Sequence, residues 1–410
     1  MGRAGAQAGR LGTAFALVAA LGLAVRLSVP TPHAVADAPH GDTSIPGTPV
    51  QVSQEACGSG WSGGAAGPVT LALWNASGRN AEAALENAST HEYLLYAENL
   101  GADVTRSVTV TLGPGSYRLL CFVDDETGVA GPAQQVTGSY AGALTPAVLP
   151  VSTTDLIEPL LAYQRWISGR LTILQNKLAR FEKRLHRGDW ERAKRSWLAT
   201  HRAWIVLGAA YDAFGDVGDA IDGRPTAGVD PATDRSLTGF HKIEALLWAQ
   251  GRPTRHRMRA VILPAVRTMA ASVTRIQQGW GTTFQVAPID MGLRTHEILE
   301  DGLRWDLTGR TDAGSHTTLA ALDAEVTGTR AVLSFLRPLL QPRDRDLAAT
   351  DAWLHRFKAD VDRYHRAKHV WAPLQDLGTG QLERLHADLD QTLEYLSEIA
   401  VLTDPEKVYQ

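Results

Sequence analysis

Only two cysteines, Cys57 and Cys121, occur in the 410 residues. That is too few for a disulfide scaffold or a thiolate zinc site, and enough for one bridge. Methionine is scarce too, limited to Met1, Met258, Met269 and Met291. The two signs of charge nearly balance. A net charge of −4 gives no global reason to expect nucleic acid or an anionic membrane as a partner. Long apolar runs are missing except near the start, where Arg3 and Arg10 precede a mostly apolar run from Leu11 to Val25. This run is shorter than the ~20 residues a spanning helix needs. Ala34-Val35-Ala36 then fits a small-x-small cleavage site, so residues 1–45 read as an export signal and linker. An uncleaved anchor is the alternative, because Arg26 and Pro30 lengthen the cleavage region. Either way the bulk of the chain is expected outside the cytoplasm, as a secreted, periplasmic or cell-surface protein. An oxidising compartment makes a Cys57–Cys121 disulfide the default.

What the chain does contain falls into two halves. Residues 46–150 are rich in Gly, Val, Thr and Ser. Val69–Trp74, Ser107–Leu112 and Tyr117–Val123 read as strands, with Gly113-Pro114-Gly115 turning one into the next. Several short strands in so short a stretch predict an all-β sandwich. A Cys57–Cys121 bridge would tie the start of that domain to its far end. After Pro150 the spacing changes. Leu160, Tyr163, Ile167, Leu171, Leu174, Leu178, Phe181 and Leu185 follow helical three- and four-residue steps, closed by Gly188. Leu382, Leu385, Leu389, Leu393 and Leu396 repeat the pattern near the other end. Between them Trp190–Phe214, Gly239–Gln250, Arg255–Gln278, Asp290–Leu307, Thr317–Leu339 and Ala348–His365 are expected to be mostly helical. Short links marked by Gly, Pro and Asp predict an antiparallel all-α bundle over 151–410.

The segment Thr238–Trp248, T-G-F-H-K-I-E-A-L-L-W, carries the chemistry worth testing. On a helix, His241 and Glu244 share a face, and an imidazole with a carboxylate can chelate a divalent or ferric ion. H-x-x-E alone is a weak signal, and a solvated His with a solvated Glu is its ordinary meaning. Upstream, Phe214–Pro225 crowds Asp216, Asp219 and Asp222 among glycines, and predicts a loop. A carboxylate there could complete a site. Later, Glu297 and Glu300 share a face, and either could reach inward or lie solvated.

These segments resemble the imelysin family, in its EfeO-type form. The likeness rests on Phe214–Pro225, Thr238–Trp248, Gly292–Gly309, Gly314-Ser315-His316-Thr317 and Leu161–Trp166, and spans nearly all of Pro150–Val401. The N-terminal half resembles, more loosely, the cupredoxin-like domain that precedes the imelysin domain in such proteins. The resemblance implies a multidomain protein, with an all-β cupredoxin-like sandwich before an imelysin-type helical bundle. It implies capture of iron, or another divalent cation, outside the cytoplasm. Delivery would be to a membrane iron permease, with a haem peroxidase as a further partner of the same uptake system. Carried over by position, His241, Glu244, Asp222 and Glu297 are the implied metal ligands. The chain departs from the family at Ile205 and Gly208, where the preceding helix usually brings glutamates. Hard, highly charged iron favours several oxygen ligands, so the difference puts affinity and metal preference in question.

Two other functions compete. A metallopeptidase-like hydrolase is weakened by the absence of H-E-x-x-H, which supplies two His ligands and a base on one helix. A degenerate cell-surface interaction module would follow if the losses at Ile205 and Gly208 disabled the site. Type-1 copper in the β half is excluded by its residues, since the half holds no methionine and a single histidine, His91. Asp124-Asp125-Glu126 reads as a solvated turn before a cation site. Trp166, Trp190, Trp197, Trp204 and Trp248 read as core packing.

Overall fold

Alternating apolar residues in the first half pair into two sheets. The computed structural model describes residues 47–410 apart from 125, 250, 345, 368, 406, 408 and 410. The expected export segment therefore lies outside the described residues. The strands are β1 (Thr48–Val52), β2 (Gly64–Ala65), β3 (Gly67–Asn75), β4 (Ala81–Asn87), β5 (Tyr93–Leu100), β6 (Thr105–Leu112), β7 (Gly115–Val123), β8 (Val129–Ala130) and β9 (Gln134–Thr137). One sheet has the order β1-β3-β6, and the other β2-β9-β7-β4-β5 with β8 paired to β7. Val50, Leu71, Leu73 and Val110 of the first face Leu85, Leu119, Cys121 and Val123 of the second across a buried core. A disulfide joins Cys57, in the turn after β1, to Cys121 in β7. His91 is held 2.6 Å from Glu86 Oε1.

The second half is helical over 157–402, as the three- and four-residue spacing predicts. All eight stripe residues of α1 (Ile157–His186) are buried, and Gly188 just beyond the cap has φ +68. There follow α2 (Trp190–Ile205), α3 (Gly215–Asp222) and α4 (Gly239–Trp248). Next, α5 (Arg255–Arg257) passes through a π-helical turn, Met258–Ile262, into α6 (Leu263–Gly279). The chain continues as α7 (Asp290–Asp301), α8 (Thr318–Leu340), α9 (Leu347–Asp362), the ribbon β10 (His365–Ala367) with β11 (Val370–Trp371), and α10 (Thr379–Leu402). Trp197 and Trp204 are fully buried, while Trp166, Trp190 and Trp248 pack against the core from its edge. No helix among the described residues is long and apolar enough to cross a membrane.

Three expected elements differ, each for a local reason. Phe214–Pro225 is not a loop, because its second to ninth residues form α3. Asp216 in the first turn suits the helix dipole, and Ile221 buries one side. The helix expected over Trp190–Phe214 ends at Ile205 and continues as tight turns, Gly208–Ala210 and Asp212–Phe214. There a Cβ on residue 208 would lie 2.9 Å from Ile298, so glycine lets α7 approach. The helix expected to reach His365 stops at Asp362, and His365 instead opens the β10–β11 ribbon, its ring stacked on Trp371.

The C-terminal tail returns to the sandwich. Tyr409 Oη donates to Glu86 Oε1 at 2.9 Å, Arg118 Nε donates to Glu86 Oε2 at 2.5 Å, and Lys407 Nζ donates to Glu82 at 2.7 Å.

Candidate metal site

The T-G-F-H sequence places its own histidine. Gly239 has φ +68, and a Cβ there would lie 1.9 Å from the Ile221 carbonyl oxygen. Only glycine allows α4 to start against the end of α3. Thr238 Oγ1 fixes the same junction by donating to the Ala220 carbonyl at 2.8 Å. The last residue of α3, Asp222, is thereby set beside His241, on the first turn of α4. Lys242 points the other way and donates to the carbonyls of Pro231, Ala232 and Asp234, tying down the long connection between the two helices. From a third direction α2 presents His201. The Trp197 indole of α2 donates to the Phe240 carbonyl at 3.1 Å and holds α2 against α4.

Three side chains from three helices therefore converge. His201 Nε2 lies 3.1 Å from Asp222 Oδ1, and His241 Nε2 lies 3.6 Å from the same oxygen. One ligand atom from each of His201, Asp222 and His241 falls within 4.8 Å of the other two. Both imidazoles are 6% exposed. The His201 ring packs on Phe240 with centroids 4.7 Å apart, and meets the His241 ring nearly at right angles.

The cluster opens into a cavity of about 600 Å³, also lined by Ile205, Gly208, Glu297, Asp306 and Glu325. Its electrostatics favour positive charge. Burial alone would lower the His241 pKa. The Glu244 hydrogen bond and the nearby carboxylates of Asp222 and Asp306 outweigh burial and raise it to about 9. Burial works against ionised Asp222, yet the facing His201 and His241 bring its pKa below the ordinary value. A bound cation would replace the proton on His241 Nε2 in a place already arranged for positive charge.

Residues 160–398, more than half of the chain, match the family profile Peptidase_M75, described as Imelysin.

The chain belongs to the imelysin family.

Among its curated relatives is the iron uptake system component EfeO of Yersinia pestis, 24% identical over 250 residues. That match covers 61% of this chain and 63% of the relative. EfeO of Escherichia coli K12 is 24% identical over 262 residues, covering 62% of this chain and 64% of the relative. The matches thus span less than two thirds of each relative's length.

The structure of this imelysin-family chain separates the four residues named from sequence. Asp222 and His241 meet at the cluster. Glu244 shares a face with His241, as H-x-x-E spacing requires, but both its oxygens are occupied elsewhere. Oε2 lies 3.0 Å from His241 Nδ1, and Oε1 accepts from the backbone N–H groups of Ala313 and Ser315 at 3.1 and 2.9 Å. Glu244 therefore orients the ring and leaves Nε2 free to face Asp222. Glu297 lines the cavity but pairs with Arg294, which also donates to Asp212 at 2.8 Å. Glu300 lies near His296 and Arg304 at the surface. The acidic turn after β7 faces Arg79, 3.4 Å from Asp124 and 2.6 Å from Glu126, with residue 125 outside the described residues.

Sequence reasoning missed His201. The signal was present: His201 lies one helical turn before Ile205, on the same face of α2. Where the family resemblance calls for a carboxylate at position 205, this chain offers an imidazole four residues earlier.

Proposed function

We propose that this protein is the extracytoplasmic metal-binding component of an iron uptake system, holding its cargo ion at His201, Asp222 and His241. The observation that carries the reading is the convergence of ligand atoms from two buried histidines and a partly buried aspartate, on three helices, at one cavity. In support, curated imelysin relatives are named as iron uptake system components. Two imidazoles and one carboxylate suit a first-row divalent ion such as Fe(II) better than a purely oxygen-seeking ion. The cavity mouth leaves further positions for water or for ligands of an incoming complex. In this reading the ion passes to a membrane permease, with a haem peroxidase as a further partner, and the chain is a carrier rather than an enzyme. The β half is the cupredoxin-like domain of the same assembly, without type-1 copper.

The test is calorimetric titration with Fe(II) under anaerobic conditions and with Fe(III) in air, on the wild type and a His201→Ala/His241→Ala variant. Tight Fe(II) binding in the wild type, lost in the variant, is expected. Absence of binding for both iron states and for other divalent ions overturns the reading. Peptide cleavage that disappears with His241→Ala would favour the hydrolase instead.

A further inference from the structure

Two more buried carboxylates line the same cavity and take no part in the histidine cluster. Asp306 ends a π-helical turn, Gly302–Asp306, that follows α7, and Glu325 projects from α8. Each is 7% exposed. Asp306 Oδ1 accepts from Thr311 Oγ1 at 2.7 Å. Glu325 Oε2 is sealed from solvent and meets no N–H or hydroxyl donor among the described residues, while the Glu325 and Asp306 carboxyls lie within hydrogen-bond reach of each other. A buried carboxylate pair with no cationic donor is costly, and native folds keep few of them without a reason.

The backbone is shaped around this oxygen. A Cβ on residue 302 would lie 2.4 Å from Glu325 Oε2 and 2.9 Å from Leu322, so glycine is what leaves room for the carboxylate. The turn that begins there is π-helical and carries Asp306 at its end. Such turns weaken a helix and recur at functional sites. No protein cation pairs with either acid among the described residues. The two arginines lining the cavity are engaged elsewhere, Arg224 with Asp301 at 2.7 Å and Arg294 with Asp212 and Glu297.

The pair does not belong to the first cluster. The described ligand atoms that converge within 4.8 Å are those of His201, Asp222 and His241 alone. The two groups still sense each other, because Asp306 acts on His241 and Asp222 acts on Glu325.

We propose that Asp306 and Glu325 form a second subsite in this cavity, an all-oxygen one for a hard cation, with water completing its coordination. It rests on the reading of the cavity as a cation site and extends it to two positions. Two carboxylates plus water is the usual protein share of a Mg(II)- or Mn(II)-type site, and the same donors suit Fe(III). Without a cation, burial first and then the neighbouring acids raise the Glu325 pKa, and burial raises that of Asp306, so the pair resists carrying two negative charges. The division of donors gives the cavity one nitrogen-rich and one oxygen-only position.

Mn(II) counted by electron paramagnetic resonance tests this on the full chain. Wild type is expected to bind two equivalents. Glu325→Gln, which keeps the shape of the side chain, is expected to bind one, and Asp306→Asn to do the same, each with an unfolding curve confirming the fold. His201→Ala/His241→Ala is expected to keep the carboxylate equivalent. If wild type binds one equivalent that survives the histidine changes and is lost in Glu325→Gln, the histidine-centred reading fails and the carboxylate subsite stands. If Glu325→Gln leaves stoichiometry and affinity unchanged, the pair is a protonated structural contact and the proposal is overturned. Loss of all Mn(II) in the histidine variant overturns it too.

Discussion

His241 Nδ1 lies 3.0 Å from Glu244 Oε2, and this contact decides which nitrogen of the ring is available to an ion. The same carboxylate reaches two backbone N–H groups before α8. The second acidic residue of H-x-x-E thus joins ring orientation to the packing of a distant segment.

Replacing Glu244 should separate these two roles. Glu244→Ala is expected to weaken cation binding by about 10–100-fold, the usual effect of losing a group that orients a ligating histidine. It should also cost about 1–3 kcal/mol of stability, since the Ala313 and Ser315 N–H groups lose their acceptor. Glu244→Gln keeps an oxygen for that segment and should recover stability more than affinity. Calorimetry and denaturant unfolding of metal-free protein read the two effects. Equal affinity in all three proteins would remove Glu244 from the site.

His201 and Ile205, one turn apart on α2, should respond in opposite ways. His201→Ala is expected to reduce cation affinity by more than about tenfold, because a ligand matters at least as much as the groups that orient one. Ile205→Ala should leave affinity unchanged and cost about 2–5 kcal/mol, the range for truncating a buried isoleucine. A titration in which Ile205→Ala is the weaker binder would contradict the assignment of His201.

Gly239→Ala tests the junction that brings Asp222 to His241. The residue has φ +68, and its new methyl would meet the Ile221 carbonyl. A stability loss above about 2 kcal/mol is expected, together with weaker metal binding as α3 moves away from α4. Unchanged unfolding and titration curves would show that the close approach is not needed.

Glu86 makes stability depend on pH. Burial raises its pKa, but hydrogen bonds from Arg118, His91 and Tyr409 outweigh burial and lower it beneath the ordinary 4.5. A lowered folded-state pKa stabilises above the unfolded value and loses that contribution as pH falls through the folded one. Wild type should therefore lose stability below about pH 4.5 more steeply than Glu86→Gln. Unfolding midpoints between pH 3 and 7 that run parallel in the two proteins would rule out this role.

Reduction of the Cys57–Cys121 disulfide should destabilise the sandwich. The cysteines are 64 positions apart. Closing a loop of that size removes about 4 kcal/mol of unfolded-state entropy in the chain-entropy treatment. A Cys57→Ser/Cys121→Ser variant should show this loss without added reductant. A melting temperature independent of reductant would argue against the bridge.

Helix periodicity was the most legible part of the sequence. The α1 stripe from Leu160 to Leu185 faces the core because three- and four-residue spacing leaves no other continuous apolar face. The strands with β-branched or aromatic residues, β3, β6 and β7, were equally readable. β4 was not, because Ala81–Asn87 is an A-E-A-A-L-E-N string with helix-favouring composition. It is a strand because β5 and β7 pair with it on both sides and Leu85 completes the sandwich core. The Phe214–Pro225 segment predicts a loop for the related reason that Gly and Asp favour turns locally, whereas burial of Ile221 in α3 rewards a helix only once the bundle exists.

The candidate site divides in the same way. The sequence by itself determined that His241 and Glu244 share a helical face, and that an acidic, glycine-rich segment precedes them, because both follow from residue spacing. The tertiary structure decided that Asp222 meets His241, that His201 joins them from another helix, and that Glu244 turns to the ring and the backbone. Those outcomes depend on how α2, α3 and α4 cross. The crossing is set by contacts such as that of Gly239 with Ile221, between residues whose proximity no local pattern encodes.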